Sequence, residues 1–127
     1  MVAHCVLGSP LEACGLLAGS TASHGAPARA VSCFPAHNAA ASARVYTVQP
    51  RDLLRADRAA EGCGVELLGV YHSHTHTEAY PSPTDVAAAP DPGWHYVVVS
   101  LRDREPTVRS YRIVDGKIEE EPVVLQW

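Results

Sequence analysis

The chain is 127 residues long, enough for one domain, expected to span 1–127, whose core needs no disulfide or metal staple. A net charge of -4 with no run of Lys or Arg excludes a general polyanion-binding face, so nucleic acid is not expected as a partner, and no apolar run is long enough to span a bilayer. Residues 1–7 lack the basic start and long apolar stretch of a secretory signal, so a cytoplasmic location is expected, where Cys5, Cys14, Cys33 and Cys63, without Cys-x-x-Cys or zinc-finger spacing, read as free thiols.

In chain order, the first residues read as the end of a helix stopped near Gly8-Ser9-Pro10. Ala13 to Ala18 reads as a small apolar strand, and Ser20 to Ala30, rich in Gly, Ala and Ser, as a loop. Val31 to Phe34 and Arg44 to Val48 are short strand candidates. Gln49-Pro50-Arg51-Asp52 then leads into a helix whose apolar face is Leu53, Leu54, Ala56, Ala59 and Ala60, ended by Gly62. Val65 to His74 is a strand, Asp85 to Ala89 a short helix ended by Pro90, and Tyr96 to Leu101 a buried strand. Val108 to Val114, Asp115-Gly116 and Lys117 to Leu125 form a hairpin, because Asp-Gly suits a tight two-residue turn. Alternating strands and helices with a terminal hairpin predict an α/β fold with a mixed sheet.

The chemistry concentrates in residues 72–85. Histidines at i and i+2 on an extended segment face the same way, so His72 and His74 can grip one ion, and zinc is the natural choice for imidazole ligands that leave a position open to water. A third ligand must come from nearby. Asp85 is favoured: Ser82-Pro83-Thr84-Asp85 has Ser at N-cap, Pro at N1 and Asp at N3, a helix start that folds a carboxylate back over the strand end and is also a capping box. His76 is the alternative, although a polar loop histidine is usually just solvated. Amide hydrolysis beside such an ion also needs a proton acceptor. Glu78 lies close in sequence, Glu12, Glu61 and Glu66 further off, and spacing does not choose among them.

The run His72-x-His74, seven residues, Ser82, two residues, Asp85, with Pro10-Leu11-Glu12-Ala13-Cys14-Gly15-Leu16-Leu17-Ala18-Gly19 upstream, resembles the JAMM (MPN+) metalloprotease family. The likeness continues through Tyr71 to Thr75, Glu78 to Asp85 and Arg109 to Gly116, and is closest to the small bacterial branch that processes ubiquitin-like sulfur-carrier proteins. It implies a three-layer MPN (JAMM) domain, a mixed sheet flanked by helices. It further implies zinc on His72, His74 and Asp85, Glu12 as general base, and Ser82 as a donor to the tetrahedral oxyanion. The implied substrate is a carrier ending in Gly-Gly whose next amide bond is cut, releasing cysteine or another C-terminal residue in cysteine biosynthesis or sulfur transfer. The short spacing between His74 and Ser82 leaves no room there for the extra zinc-binding insertion of eukaryotic deubiquitinating relatives.

Members of that family carry a strand and most of a helix before the Pro-x-Glu segment, so this chain is expected to begin inside that helix, with either its start placed late or the edge of the sheet incomplete. An extended substrate tail would add along an exposed strand edge, with Asn38, Arg44 and Tyr46 as candidate contacts. Cys14, among apolar neighbours, reads as an inert core thiol, and Trp94 and Trp127 as packing. The competing readings are a non-catalytic MPN-type scaffold and a RadC-like DNA-associated relative, the latter disfavoured by the acidic charge. Oligomeric state is open.

Overall fold

A computed structural model describes residues 1–124. Its elements are α1 (Val2–Gly8), β1 (Cys14–Ser20), β2 (Arg29–Ala36), α2 (Pro50–Gly62), β3 (Glu66–His74), α3 (Pro83–Ala87), β4 (His95–Ser100), β5 (Thr107–Val114) and β6 (Lys117–Glu121). The strands form one sheet in the order β2-β1-β3-β4-β5-β6. β3 and β4 run parallel and every other neighbouring pair is antiparallel, so the sheet is mixed as expected.

The side-chain alternation of β3 sorts the molecule into layers. Tyr71 points to one face, where it packs with Leu17, Val97 and Val99 under Cys5 of α1. Val70 points to the other, where Leu16, Tyr96 and Ile113 meet Ala56 of α2. β1 and β3 are therefore buried on both faces, which accounts for their small and apolar composition. Gly15 is required in the first layer: a Cβ there would stand 2.4 Å from the Tyr71 ring.

Several sequence expectations need correction. The α2 face that packs is Ala56 and Ala60, one helical turn apart, while Leu53 and Leu54 stay 39% and 51% exposed, because small residues let the helix lie close to the sheet. Arg44 to Val48 is not a strand. Asn38 and Val48 share one isolated bridge, and the Asn38 side chain takes up backbone groups that a ladder would otherwise use, accepting from Thr47 N–H and donating to Val45 C=O. β2 is longer than Val31 to Phe34; as an edge strand it tolerates Pro35, whose missing N–H costs no ladder bond on the open side. α3 spans Pro83–Ala87 rather than Asp85 to Ala89, since Ser82 already caps it. The hairpin turns at Asp115 and Gly116, both at positive φ (50° and 75°), and β6 ends at Glu121; Leu125 and Trp127 lie outside the described residues. Among the described residues, no helix is long and apolar enough to cross a membrane.

Candidate metal centre

His72 and His74 occupy the carboxyl end of β3, where the chain leaves for α3 before returning as the parallel strand β4. That end of a parallel pair is where open sheets place their ligand sites. Ser73, between the two histidines, faces the opposite layer and clips the chain just ahead of β1: its Oγ accepts from Ala13 N–H at 2.9 Å and its N–H donates to Ala13 C=O at 2.9 Å. This holds Glu12, sixty residues earlier than His72, against the site.

Three donor atoms converge. His72 Nε2 and His74 Nε2 are 3.0 Å apart, and Asp85 Oδ2 lies 3.0 Å from the first and 3.1 Å from the second. All three residues are buried. A tetrahedral ion with bonds near 2 Å spreads its ligands about 3.3 Å apart, so two imidazole nitrogens and one carboxylate oxygen packed this closely fit a single small cation. His76, the alternative ligand, is exposed and instead meets Thr75 Oγ1 at 2.8 Å.

Local structure fixes each donor. The Ser82 N–H donates to Asp85 Oδ2 at 2.8 Å and Ser82 Oγ accepts from Asp85 N–H at 3.1 Å, so the capping box read from the sequence also aims the carboxylate. Burial alone would push the Asp85 carboxyl up, but the His72 and His74 imidazoles beside it and the hydrogen bond from the Ser82 N–H hold it well below the usual carboxylate range. His74 donates from Nδ1 to the Glu78 carbonyl at 2.9 Å, leaving the Nε2 lone pair for an ion. Glu78, a base candidate by proximity, is exposed and contributes its backbone. Ser100 Oγ donates to Thr77 C=O at 2.5 Å and Tyr111 OH to Ala79 C=O, so the loop carrying that carbonyl is pinned from two further strands. Burial lowers the pKa of His72, keeping it in the neutral form that binds metals.

Glu12 is 4% exposed and stands outside the three converging donors. Its Oε2 is buried with no hydrogen-bond partner among the described residues, a polar atom that a water or ion at the centre would satisfy. Burial raises its pKa from 4.5 to about 7, against the pull of His74 and with the added push of Asp85. Its backbone is held by Ser42 C=O, which accepts its N–H at 2.8 Å, and by Asn38 Nδ2, which donates to its carbonyl at 3.0 Å. Cys14 is buried, in register with His72, and its thiol is pushed up to about 12, first by burial and then by Asp52 and Glu12. That suits an inert core group.

Of the three substrate-contact candidates, Asn38 has its amide committed inside the loop, Arg44 is exposed, and Tyr46 lies over His72 with ring centroids 4.2 Å apart. Trp94 packs with the Tyr96 layer as expected, and all four cysteines are free.

The family profile described as prokaryotic homologs of the JAB domain matches residues 1–114. The chain belongs to the Prok-JAB family. A CysO-cysteine peptidase of Mycobacterium tuberculosis is 48% identical over 124 residues, covering 97% of this chain and 82% of that protein. A desampylase of Haloferax volcanii is 38% identical over 93 residues, 72% of this chain and 63% of that protein. The solution structure of a Desulfitobacterium hafniense protein superposes with a TM-score of 0.89 at 33% identity, covering 99% of this chain and 86% of that one. The JAB family is metal-dependent, and the donors His72, His74 and Asp85 supply what such a centre requires.

Proposed function

We propose that this protein is a zinc-dependent peptidase that hydrolyses the amide bond following the C-terminal Gly-Gly of a ubiquitin-like sulfur-carrier protein, releasing cysteine or another terminal residue. The observation that carries this reading is the convergence of His72, His74 and Asp85 within 3.1 Å beside the buried Glu12, whose Oε2 meets no hydrogen-bond partner among the described residues. The extensive identity to a CysO-cysteine peptidase and to a desampylase supports the substrate class.

His72, His74 and Asp85 would hold the ion, and their two-nitrogen, one-oxygen set suits zinc. When bound, zinc acts as a Lewis acid toward the scissile carbonyl and makes water more acidic. Glu12 then works as general base. Buried beside the centre, its carboxylate is the proton acceptor: it takes one proton from the attacking water and delivers it to the leaving amine. Water oxygen bonds to the carbonyl carbon, the C–N bond breaks, and the products are the Gly-Gly carboxylate and a free amine. Ser82 Oγ already accepts from Asp85 N–H, so its hydroxyl hydrogen remains to donate to the tetrahedral oxyanion. Arg44 is free on the surface to meet the substrate tail or its terminal carboxylate.

The test is a panel of carriers ending in Gly-Gly-Cys, Gly-Gly-Ala and unextended Gly-Gly, each incubated with zinc-loaded protein and analysed by liquid chromatography of the released amino acid. Release from the extended carriers, abolished by chelator, is expected. Release from none would overturn the substrate assignment.

A further inference from the structure

The two histidines of the centre are held in different ways. His74 has a hydrogen bond behind it, from Nδ1–H to the Glu78 carbonyl at 2.9 Å. His72 Nδ1 is buried and meets no hydrogen-bond partner among the described residues. Ligand imidazoles ordinarily have their second nitrogen anchored, which sets both tautomer and ring plane. His72 lacks that anchor.

In its place an aromatic ring lies against it. The Tyr46 phenol faces the His72 imidazole with centroids 4.2 Å apart and planes 20° apart, a stacked arrangement that restricts rotation about the imidazole's side-chain bond. Tyr46 sits in no helix or strand of its own. It is carried by the segment 37–49, which Asn38 ties together: Asn38 Oδ1 accepts from Ala40 N–H at 3.0 Å and Thr47 N–H at 2.9 Å, while Nδ2 donates to Val45 C=O at 2.9 Å. The same Nδ2 reaches the Glu12 carbonyl at 3.0 Å. One amide thus joins the segment that carries the Tyr46 ring to the backbone of Glu12.

We propose that Tyr46 is a positioning residue for His72, its ring fixing the imidazole plane in place of the missing hydrogen bond, with Asn38 binding that ring and Glu12 into one unit. The ring plane is what matters and the hydroxyl is dispensable. The inference rests on the reading of His72 as a metal ligand.

Zinc affinity, measured by competition with a chromophoric chelator, and the visible absorption spectrum of the cobalt(II)-loaded protein test it in Tyr46→Phe, Tyr46→Leu, Tyr46→Met and His72→Ala. Tyr46→Phe should stay within about twofold of wild type, with an unchanged cobalt spectrum. Tyr46→Leu and Tyr46→Met should bind zinc about tenfold more weakly, with a shifted cobalt spectrum, as expected when a ligand's outer support is removed. The Met variant keeps apolar bulk, so it answers the question should the Leu variant fail to fold. Wild-type affinity and spectrum in either folded variant would overturn the proposal, as would a Phe variant that falls with them. Undiminished zinc binding by His72→Ala would instead remove the metal-site reading beneath it.

Discussion

Replacing Glu12 by Gln should stabilise the metal-free protein while removing its activity, and the stabilisation should grow with pH. Burial raises the Glu12 carboxyl from 4.5 to about 7 in the folded chain. Between those values the native state binds the proton that the unfolded state has released, so stability falls as pH rises through that window, the reverse of an ordinary ion-paired carboxylate. At about 1.4 kcal/mol per pKa unit, the displacement costs about 3 kcal/mol at pH 8, and less than 1 kcal/mol at pH 5, which lies only about half a unit above the unfolded pKa. At 4% exposure, solvent screening takes little away. Gln carries no such cost. Guanidinium unfolding of wild type and Glu12→Gln, both with chelator present, should therefore show a stability gap about 2 kcal/mol larger at pH 8 than at pH 5, or several degrees in unfolding temperature. A gap that does not change with pH would refute the reasoning, because a carboxylate indifferent to ionisation is not buried without a partner.

Other outcomes follow from the same geometry. Zinc at a thousandfold its Kd should raise wild-type stability by about 4 kcal/mol and leave Asp85→Ala near its metal-free value, read by thermal unfolding with and without the metal. Ser82→Ala should cost about 1 kcal/mol of stability through the lost cap, and about 100-fold in kcat through the lost oxyanion donor; steady-state kinetics at zinc saturation separate the two effects. Gly15→Ala should destabilise by about 2 kcal/mol in urea unfolding, because the new Cβ would lie 2.4 Å from a ring with no exposed surface to move into.

The parts legible in the sequence were those whose signal is local. β3 and β4 are apolar runs, and Asp115-Gly116 supplies the positive φ angles of its turn. Ser82, Pro83 and Asp85 spell a capped helix, and the three convergent donors lie within fourteen residues of one another. Glu12 is the opposite case: only the antiparallel pairing of β1 with β3 brings it to the histidines, so spacing could not select it and family resemblance did. Arg44 to Val48 misled because its alternating β-branched and aromatic residues imitate a strand, whereas the Asn38 amide competes for the backbone groups a strand would pair. Leu53 and Leu54 misled because burial in α2 is decided by how closely the helix approaches the sheet, which favours alanine. The Glu78 carbonyl behind His74 left no trace in the sequence, since every residue carries that group.

The most direct measurement is intact mass spectrometry of a carrier ending in Gly-Gly-Cys, incubated with zinc-loaded wild type and with zinc-loaded Glu12→Gln, the zinc content of each being determined alongside. Loss of one cysteine residue with the wild type alone, at equal zinc occupancy, is the predicted result. Equal cleavage by both proteins would contradict Glu12 as the base, and an intact carrier in both, with zinc bound, would contradict the assignment of this centre to the bond after Gly-Gly.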